Sequence, residues 1–313
     1  MKKKVRISRN YSFPDLLRQT PNNSGVFGNY IFTEQESAAD YLVILNSPST
    51  DIDAEFLSGG TLLISQEPPY DQNNYYKMYF KFVDTFITKF DTEDKNNHTL
   101  KVPAGLPWHI QKNFDELLKL EPTEKKNKTS WITSNLAIHE GHKKRLEFLN
   151  FLREQNFEFD LFGRGFNKIK DKFEGLFPYK FSIAIENYFS NDYFTEKLTD
   201  CMLSFCIPFY YGCGNLDKYF PKGSFVNINL ENKNYSLSAM KEKINSNYWE
   251  ENLENLKEAR HLILHKYQLF PLIIETIEKS MAIHNKKKRY KIPADGLTKI
   301  ERWKQKFNSI INK

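Results

Sequence analysis

One stretch, residues 179–221, limits the choice of fold more than any other part of the chain. It reads YKFSIAIENYFSNDYFTEKLTDCMLSFCIPFYYGCGNLDKYFP. The apolar run 181–185 is short enough for a buried strand, and residues 187–193 are polar and turn-rich. From there Phe194, Leu198, Cys201, Met202 and Phe205 recur on one helical face. A second apolar run, Ile207–Tyr211, stops at Gly212. Strand, loop, helix and strand in that order build parallel sheets. The loop sets Glu186, Asn187, Tyr193, Glu196 and Lys197 where a strand ends and a helix begins. Open α/β sheets bind ligands at such places, and exposed helix N–H groups favour anions.

The rest of the chain repeats the pattern. Short apolar runs at 5–7, Tyr41–Leu45, 61–65 and 83–87 predict strands, with 101–103 as one more. Residues 121–128, EPTEKKNK, are polar and charged and read as a linker. Beyond it, 131–133 and Phe159–Phe162 are expected strands, 141–155 a helix, and 238–281 helical. Residues 294–311 carry Leu297, Ile300, Trp303, Phe307 and Ile310 at helical spacing. The expected fold class is α/β with two Rossmann-like domains, 1–120 and 129–281. A basic tail with an amphipathic C-terminal helix, 282–313, follows them.

Composition narrows the functional classes. With 40% hydrophobic and 27% charged residues, the 313-residue chain suits a soluble globular protein. No apolar run approaches the roughly 18 residues of a membrane span. The start, MKKKVRISRN, lacks the apolar region of a secretory signal. Three cysteines, Cys201, Cys206 and Cys213, are an odd number, and reduced buried thiols in a cytoplasmic protein are the expectation. The net charge of +6 is concentrated at the ends, most densely at Lys286, Lys287, Lys288, Arg289 and Lys291. A solvated tail is the plain reading of that run; peripheral contact with the inner face of an anionic membrane is the sharper one. No nucleic-acid partner is expected, because the aromatics are not interleaved with a continuous basic stripe.

Beyond the opening stretch, two further residues stand out. Arg145 heads the stripe Arg145, Phe148, Leu149, Leu152, so its guanidinium either grips a phosphate or reaches water past a packed stem. Glu67 follows the strand at 61–65 and precedes Pro68-Pro69; such a carboxylate serves as a general base or as an ordinary surface acid. Beside Glu196 and Lys197 the plain reading is a helix start with a favourable carboxylate. Other patterns fail. Asp51-Ile52-Asp53 reads as loop, and His139-Glu140-Gly141-His142 lacks a helical zinc pair.

Taken together, these residues resemble glycosyltransferase family 10, the α-1,3/1,4-fucosyltransferases. The likeness rests on Tyr179-Lys180-Phe181, Ile185-Glu186-Asn187, Tyr193-Phe194-Thr195-Glu196-Lys197 and Ile207-Pro208-Phe209-Tyr210-Tyr211-Gly212. Ser134-Asn135, Arg145 with Phe148, and Asp160-Leu161-Phe162-Gly163 extend it upstream. Gln66-Glu67-Pro68-Pro69 stands where the family has Glu-Ser-Pro.

The resemblance implies a GT-B architecture, two Rossmann-like domains facing a central cleft, the first binding an acceptor glycan and the second a nucleotide sugar. It implies an inverting transfer, with GDP-fucose as donor and a surface polysaccharide or glycolipid precursor as acceptor. Arg145 and Lys197 would neutralise the diphosphate and Glu196 would bind ribose. Glu186, Asn187 and Tyr193 would complete the donor site, and Glu67 would be the base. No metal is required on this reading, and a divalent ion would at most stimulate. The alternatives are another nucleotide-sugar donor on the same fold, or a carbohydrate-binding protein without catalysis.

Overall fold

The computed structural model describes residues 2–35, 38–68, 71–90, 98–103, 105–279, 284–297 and 301. The chain forms two compact units, one of residues 1–20, 24–104 and 272–313, the other of 21–23 and 105–271.

Unit 1 is built on β1 (Lys3–Arg9), β2 (Val26–Phe27), β3 (Tyr30–Thr33), β4 (Tyr41–Leu45), β5 (Ile52–Ser58), β6 (Thr61–Ile64), β7 (Thr85–Thr88) and β8 (His98–Lys101). Seven of these make one sheet in the order β2-β3-β1-β4-β6-β7-β8. All pairs are parallel except β2 with β3. β4 and β6 are buried along their whole length, which is why they read as unbroken apolar runs rather than alternating ones.

Unit 2 repeats the plan. Its elements in order are α1 (Phe114–Lys119), β9 (Lys126–Ile132), α2 (Glu140–Glu154), β10 (Phe159–Phe162), β11 (Tyr179–Ile185), α3 (Glu196–Leu203), β12 (Ile207–Tyr211) and β13 (Val226–Asn227). α4 (Lys233–Ile244), α5 (Tyr248–Glu251), α6 (Leu253–Leu262) and α7 (Leu269–Lys279) follow, and the division between the units falls inside α7. The five strands are all parallel, in the order β10-β9-β11-β12-β13.

In that order the chain runs outward from β9 to β10 and then crosses back to β11. The crossovers on the two sides of β9 diverge, leaving a crevice at the carboxyl ends of β9 and β11. α2 covers this part of the sheet with Phe148, Leu149 and Leu152, all 2% exposed or less. Each such side chain contributes roughly 1.5–3 kcal/mol of burial, and Phe148 meets Trp131 of β9 edge-on at 6.3 Å.

The last described strand is β14 (His284–Ile292), which returns to unit 1 and pairs antiparallel with β5. Ile52, Phe56, Tyr290 and Ile292 of this ribbon pack with Leu42, Ile44, Leu63 and Phe86 of the main sheet. The ribbon thus covers a sheet face that a crossover helix usually covers in such folds.

The α/β class with parallel sheets, in two units, is the one expected. Four expectations need correction. Residues 121–128 are not wholly linker, since Lys126–Lys128 begin β9; their side chains are exposed or half-buried there, which is why they look like linker. Residues 105–120 belong to unit 2, held partly by Arg260, whose guanidinium donates 2.6 Å to the Leu117 carbonyl. The basic run is not a tail but β14, and Asp51-Ile52-Asp53 leads into strand β5 rather than loop. The amphipathic helix expected at 294–311 falls almost wholly outside the described residues.

Candidate functional site

The candidate site lies where β9 and β11 end and α2 and α3 begin. Its floor is Glu186, the residue after β11, whose carboxylate is 1% exposed as a residue. Oε1 accepts from the Thr195 amide at 2.8 Å, and both oxygens accept from the Thr195 hydroxyl, at 2.9 and 2.7 Å. Lys197 Nζ lies 3.3 Å from Oε2, and the Tyr210 hydroxyl donates to Oε1 at 3.4 Å. A buried carboxylate needs such partners. Gly212 permits the arrangement, because a Cβ there would stand 2.3 Å from Glu186 Cγ. Glu186 therefore holds the loop in shape from beneath instead of presenting its carboxylate to a ligand, as was expected of it.

Thr195 is the N-cap of α3, its hydroxyl accepting from the Lys197 amide at 3.3 Å. Tying that cap to Glu186 fixes the first turn, and with it the next two side chains. Lys197 Nζ lies 3.1 Å from Thr195 Oγ1 and 3.5 Å from Glu196 Oε1. Burial opposes ionisation of Glu196, but Lys197 and Lys172 overcome it and hold its carboxyl well below the usual range. Lys197 is likewise raised by Glu196 and Glu186 against the effect of burial. Both therefore stay charged across neutral pH, presenting an anion and a cation side by side at 17% and 26% side-chain exposure.

Arg145 comes from α2 and is 4% exposed. Its Nη1 donates 2.8 Å to Asn187 Oδ1, and Nη2 reaches the Ser134 carbonyl and hydroxyl at 3.2 and 3.3 Å. Its Nε is buried without a hydrogen-bond partner, and no carboxylate pairs with it among the described residues. Burial without a counter-charge lowers its pKa. A buried cation facing only neutral dipoles is costly alone, and an anion from solution would relieve that cost. The close approach of α2 to the β11 loop depends on Gly141, whose Cβ would stand 1.9 Å from the Asn187 carbonyl oxygen.

Tyr193 is buried at 2% exposure, edge-on to Tyr188 at 6.1 Å, with its carbonyl accepting from the Tyr210 hydroxyl at 3.4 Å. The structure thus gathers Arg145, Glu186, Asn187, Tyr193, Glu196 and Lys197 into one region of unit 2. Glu67 belongs to unit 1, exposed just past β6. Gln66 before it is held by the Tyr11 hydroxyl at 2.6 Å, by Asn46 Oδ1 on its amide at 2.8 Å, and by Lys89 Nζ on its carbonyl at 2.8 Å. Among the described residues no cluster of three or more His, Cys, Asp or Glu could hold a metal ion. The three cysteines are buried and unpaired.

Sequence reasoning missed Thr195, Lys172 and Asp200 as parts of the site. The cap was visible as a threonine just ahead of a helical apolar stripe. Lys172 and Asp200 left no local signal, because they meet across 28 residues, 3.0 Å apart.

Comparison with known proteins finds a family likeness. Residues 122–251 match the family model described as glycosyltransferase family 10 (fucosyltransferase), C-terminal part. An α-(1,3)-fucosyltransferase of Helicobacter pylori is 42% identical over 64 residues, 20% of this chain and 13% of that protein. A fucosyltransferase-like protein of Arabidopsis thaliana is 29% identical over 131 residues, 41% of this chain and 25% of that protein. The chain thus spans a quarter or less of the length of these curated relatives. Among solved structures, an α-1,3-fucosyltransferase with GDP-fucose is similar at a TM-score of 0.47 and 18% identity, covering 85% of this chain and 92% of that one. Over residues 122–251, the chain is thus similar to the C-terminal part of glycosyltransferase family 10.

Proposed function

We propose that this protein is an inverting glycosyltransferase that moves L-fucose from GDP-fucose to a hydroxyl of an acceptor glycan. The observation that carries the reading is Arg145, a buried guanidinium with no carboxylate partner among the described residues, fixed by Asn187 and Ser134 at a sheet's switch point. A diphosphate supplies the missing charge, with Lys197 as a second cation and Glu196 as acceptor for ribose hydroxyls. Fucose as the sugar is favoured by the family and by the fucosyltransferase relatives.

The chemistry follows from charge. The acceptor oxygen loses its proton to Glu67 and forms a bond to the anomeric carbon, while the bond from that carbon to the phosphate oxygen breaks. The electron pair leaves with GDP, whose growing charge Arg145 and Lys197 neutralise. Attack opposite the leaving group inverts the anomeric centre.

Calorimetric titration with GDP, GDP-fucose and other nucleotide sugars tests the donor. GDP and GDP-fucose are expected to bind in preference to uridine nucleotides, and the absence of binding by both would end the reading. Glu67→Gln should abolish transfer while leaving GDP affinity close to that of the wild type. Transfer surviving in that variant would remove Glu67 from the base's role.

A further inference from the structure

At the start of α3 five charged side chains form an alternating chain. Asp200 Oδ2 lies 3.0 Å from Lys172 Nζ, which lies 3.4 Å from Glu196 Oε1. Glu196 Oε1 in turn lies 3.5 Å from Lys197 Nζ, which lies 3.3 Å from Glu186 Oε2. The outer carboxylates, Asp200 and Glu186, are buried, with side chains 1% and 0% exposed. The three middle members are partly open, Lys172 at 27%.

Of the two lysines in this chain of charges, Lys172 is the one outside the loop and α3; His109 Nδ1 also lies 3.9 Å from Glu196 Oε1. It begins a short 3-10 turn, Lys172–Gly175, capped by Asp171, whose carboxylate accepts from the Phe173 amide at 3.1 Å. The same Asp171 oxygen accepts from the Gln111 amide at 2.9 Å, and Asp200 Oδ1 accepts from the His109 amide at 2.9 Å. Lys172 is therefore held by a rigid backbone at one end and by a buried carboxylate at the other.

Its effect on Glu196 follows from helix geometry. Glu196 and Asp200 are four residues apart on α3, so their carboxylates share a face and repel. Lys172 lies between them and bridges both. Lys197 sits instead between Glu196 and Glu186, at 3.5 and 3.3 Å, while Asp200 is paired with Lys172. Without Lys172, Glu196 would turn away from Asp200.

We propose that Lys172 is a positioning residue of the donor site, fixing the Glu196 carboxylate in the place that receives the ribose hydroxyls of a nucleoside diphosphate. The inference rests on the donor reading above and assigns Lys172 no contact with the nucleotide.

Dissociation constants for GDP, and for its analogue lacking both ribose hydroxyls, separate the possibilities. Lys172→Met should weaken GDP by about 10- to 100-fold, the worth of a charge-assisted hydrogen bond, and the analogue by less than about 3-fold. Lys172→Arg should restore most of the GDP affinity. Lys172→Met combined with Asp200→Asn removes the stranded buried carboxylate; it should melt closer to the wild type yet keep the selective loss. Unchanged GDP affinity in Lys172→Met would overturn the inference alone. So would an equal loss for both nucleotides, which would place Lys172 against the phosphates or make its role one of folding. Failure of the wild-type protein to bind GDP would overturn the donor reading and this inference with it.

Discussion

Arg145 and Glu186 were both singled out from the sequence and both are buried, yet they differ in their partners: Glu186 meets a cation, and Arg145 meets no carboxylate among the described residues. Arg145 spends its two Nη atoms on Asn187 and Ser134, a forked geometry that a lysine cannot copy. Arg145→Lys is therefore expected to lower GDP affinity by about 10- to 100-fold, despite keeping the charge. Titration calorimetry measures this, and affinity within a factor of about two would show that charge alone suffices. Glu186 is spent internally, on Thr195, Lys197 and Tyr210. Glu186→Gln should cost about 1–3 kcal/mol of stability, since a carboxylate accepting several hydrogen bonds becomes a poorer acceptor. Urea unfolding measures the cost, and a midpoint equal to the wild type's would count against it. A sequence shows that a glutamate follows a strand. It does not show whether the side chain turns inward, because that depends on Gly212 leaving space for it.

At the scale of elements, the amino end of α2 couples helix packing to the site. Gly141→Ala would place a methyl group against the Asn187 carbonyl, so helix and loop must part. A cost of about 1–3 kcal/mol is expected from overpacking, with weaker GDP binding because Asn187 orients Arg145. His142 lies one residue further on, 8% exposed, its Nδ1 accepting from the His139 amide at 3.3 Å. Burial, then Arg145 and His139, push its pKa down to about 4. Between the unfolded value near 6.5 and the folded value, the unfolded chain binds more protons, so stability falls as pH is lowered through that window. Thermal melts from pH 7 to pH 4 should show a shallower decline in His142→Leu; parallel declines would exclude this histidine as a source. Elements themselves were legible where burial is two-sided, as in β4 and β12. They were lost where one face is charged. β5 carries the alternation Ile52, Ala54, Phe56 against Asp53 and Glu55, but its acidic outer face made it resemble a loop. β14 was hidden by its lysines, and its partner strand lies more than 200 residues earlier.

At the scale of the molecule, both sheets follow one winding rule, which the spacing of strands made readable in outline. What no local pattern foretold is that a strand, β14, completes unit 1 on the chain's return after residue 271. Three cations of the basic run are engaged there: Arg289 lies 2.6 Å and Lys291 3.7 Å from Asp53, while Lys287 lies 3.9 Å from Asp40. These exposed pairs contribute little each. The buried side of the strand is where the stability lies, since Ile292 is 1% exposed and the Tyr290 hydroxyl donates to Asp84 at 2.6 Å. Asp84 in turn accepts from the Thr61 amide and hydroxyl at 3.1 and 2.6 Å, so Tyr290 joins β14 to the start of β6. Ile292→Ala is expected to cost about 2–5 kcal/mol, and Tyr290→Phe about 1–3 kcal/mol for the hydrogen bond to a carboxylate. Replacing Lys287, Arg289 and Lys291 together by glutamine should leave the unfolding midpoint close to that of the wild type. Hydrogen exchange with urea unfolding distinguishes the cases. The two buried-face variants should lose protection throughout the sheet of unit 1, while the glutamine variant keeps it. If instead the glutamine variant loses protection and Ile292→Ala does not, the basic face rather than the apolar one would be what holds unit 1 closed.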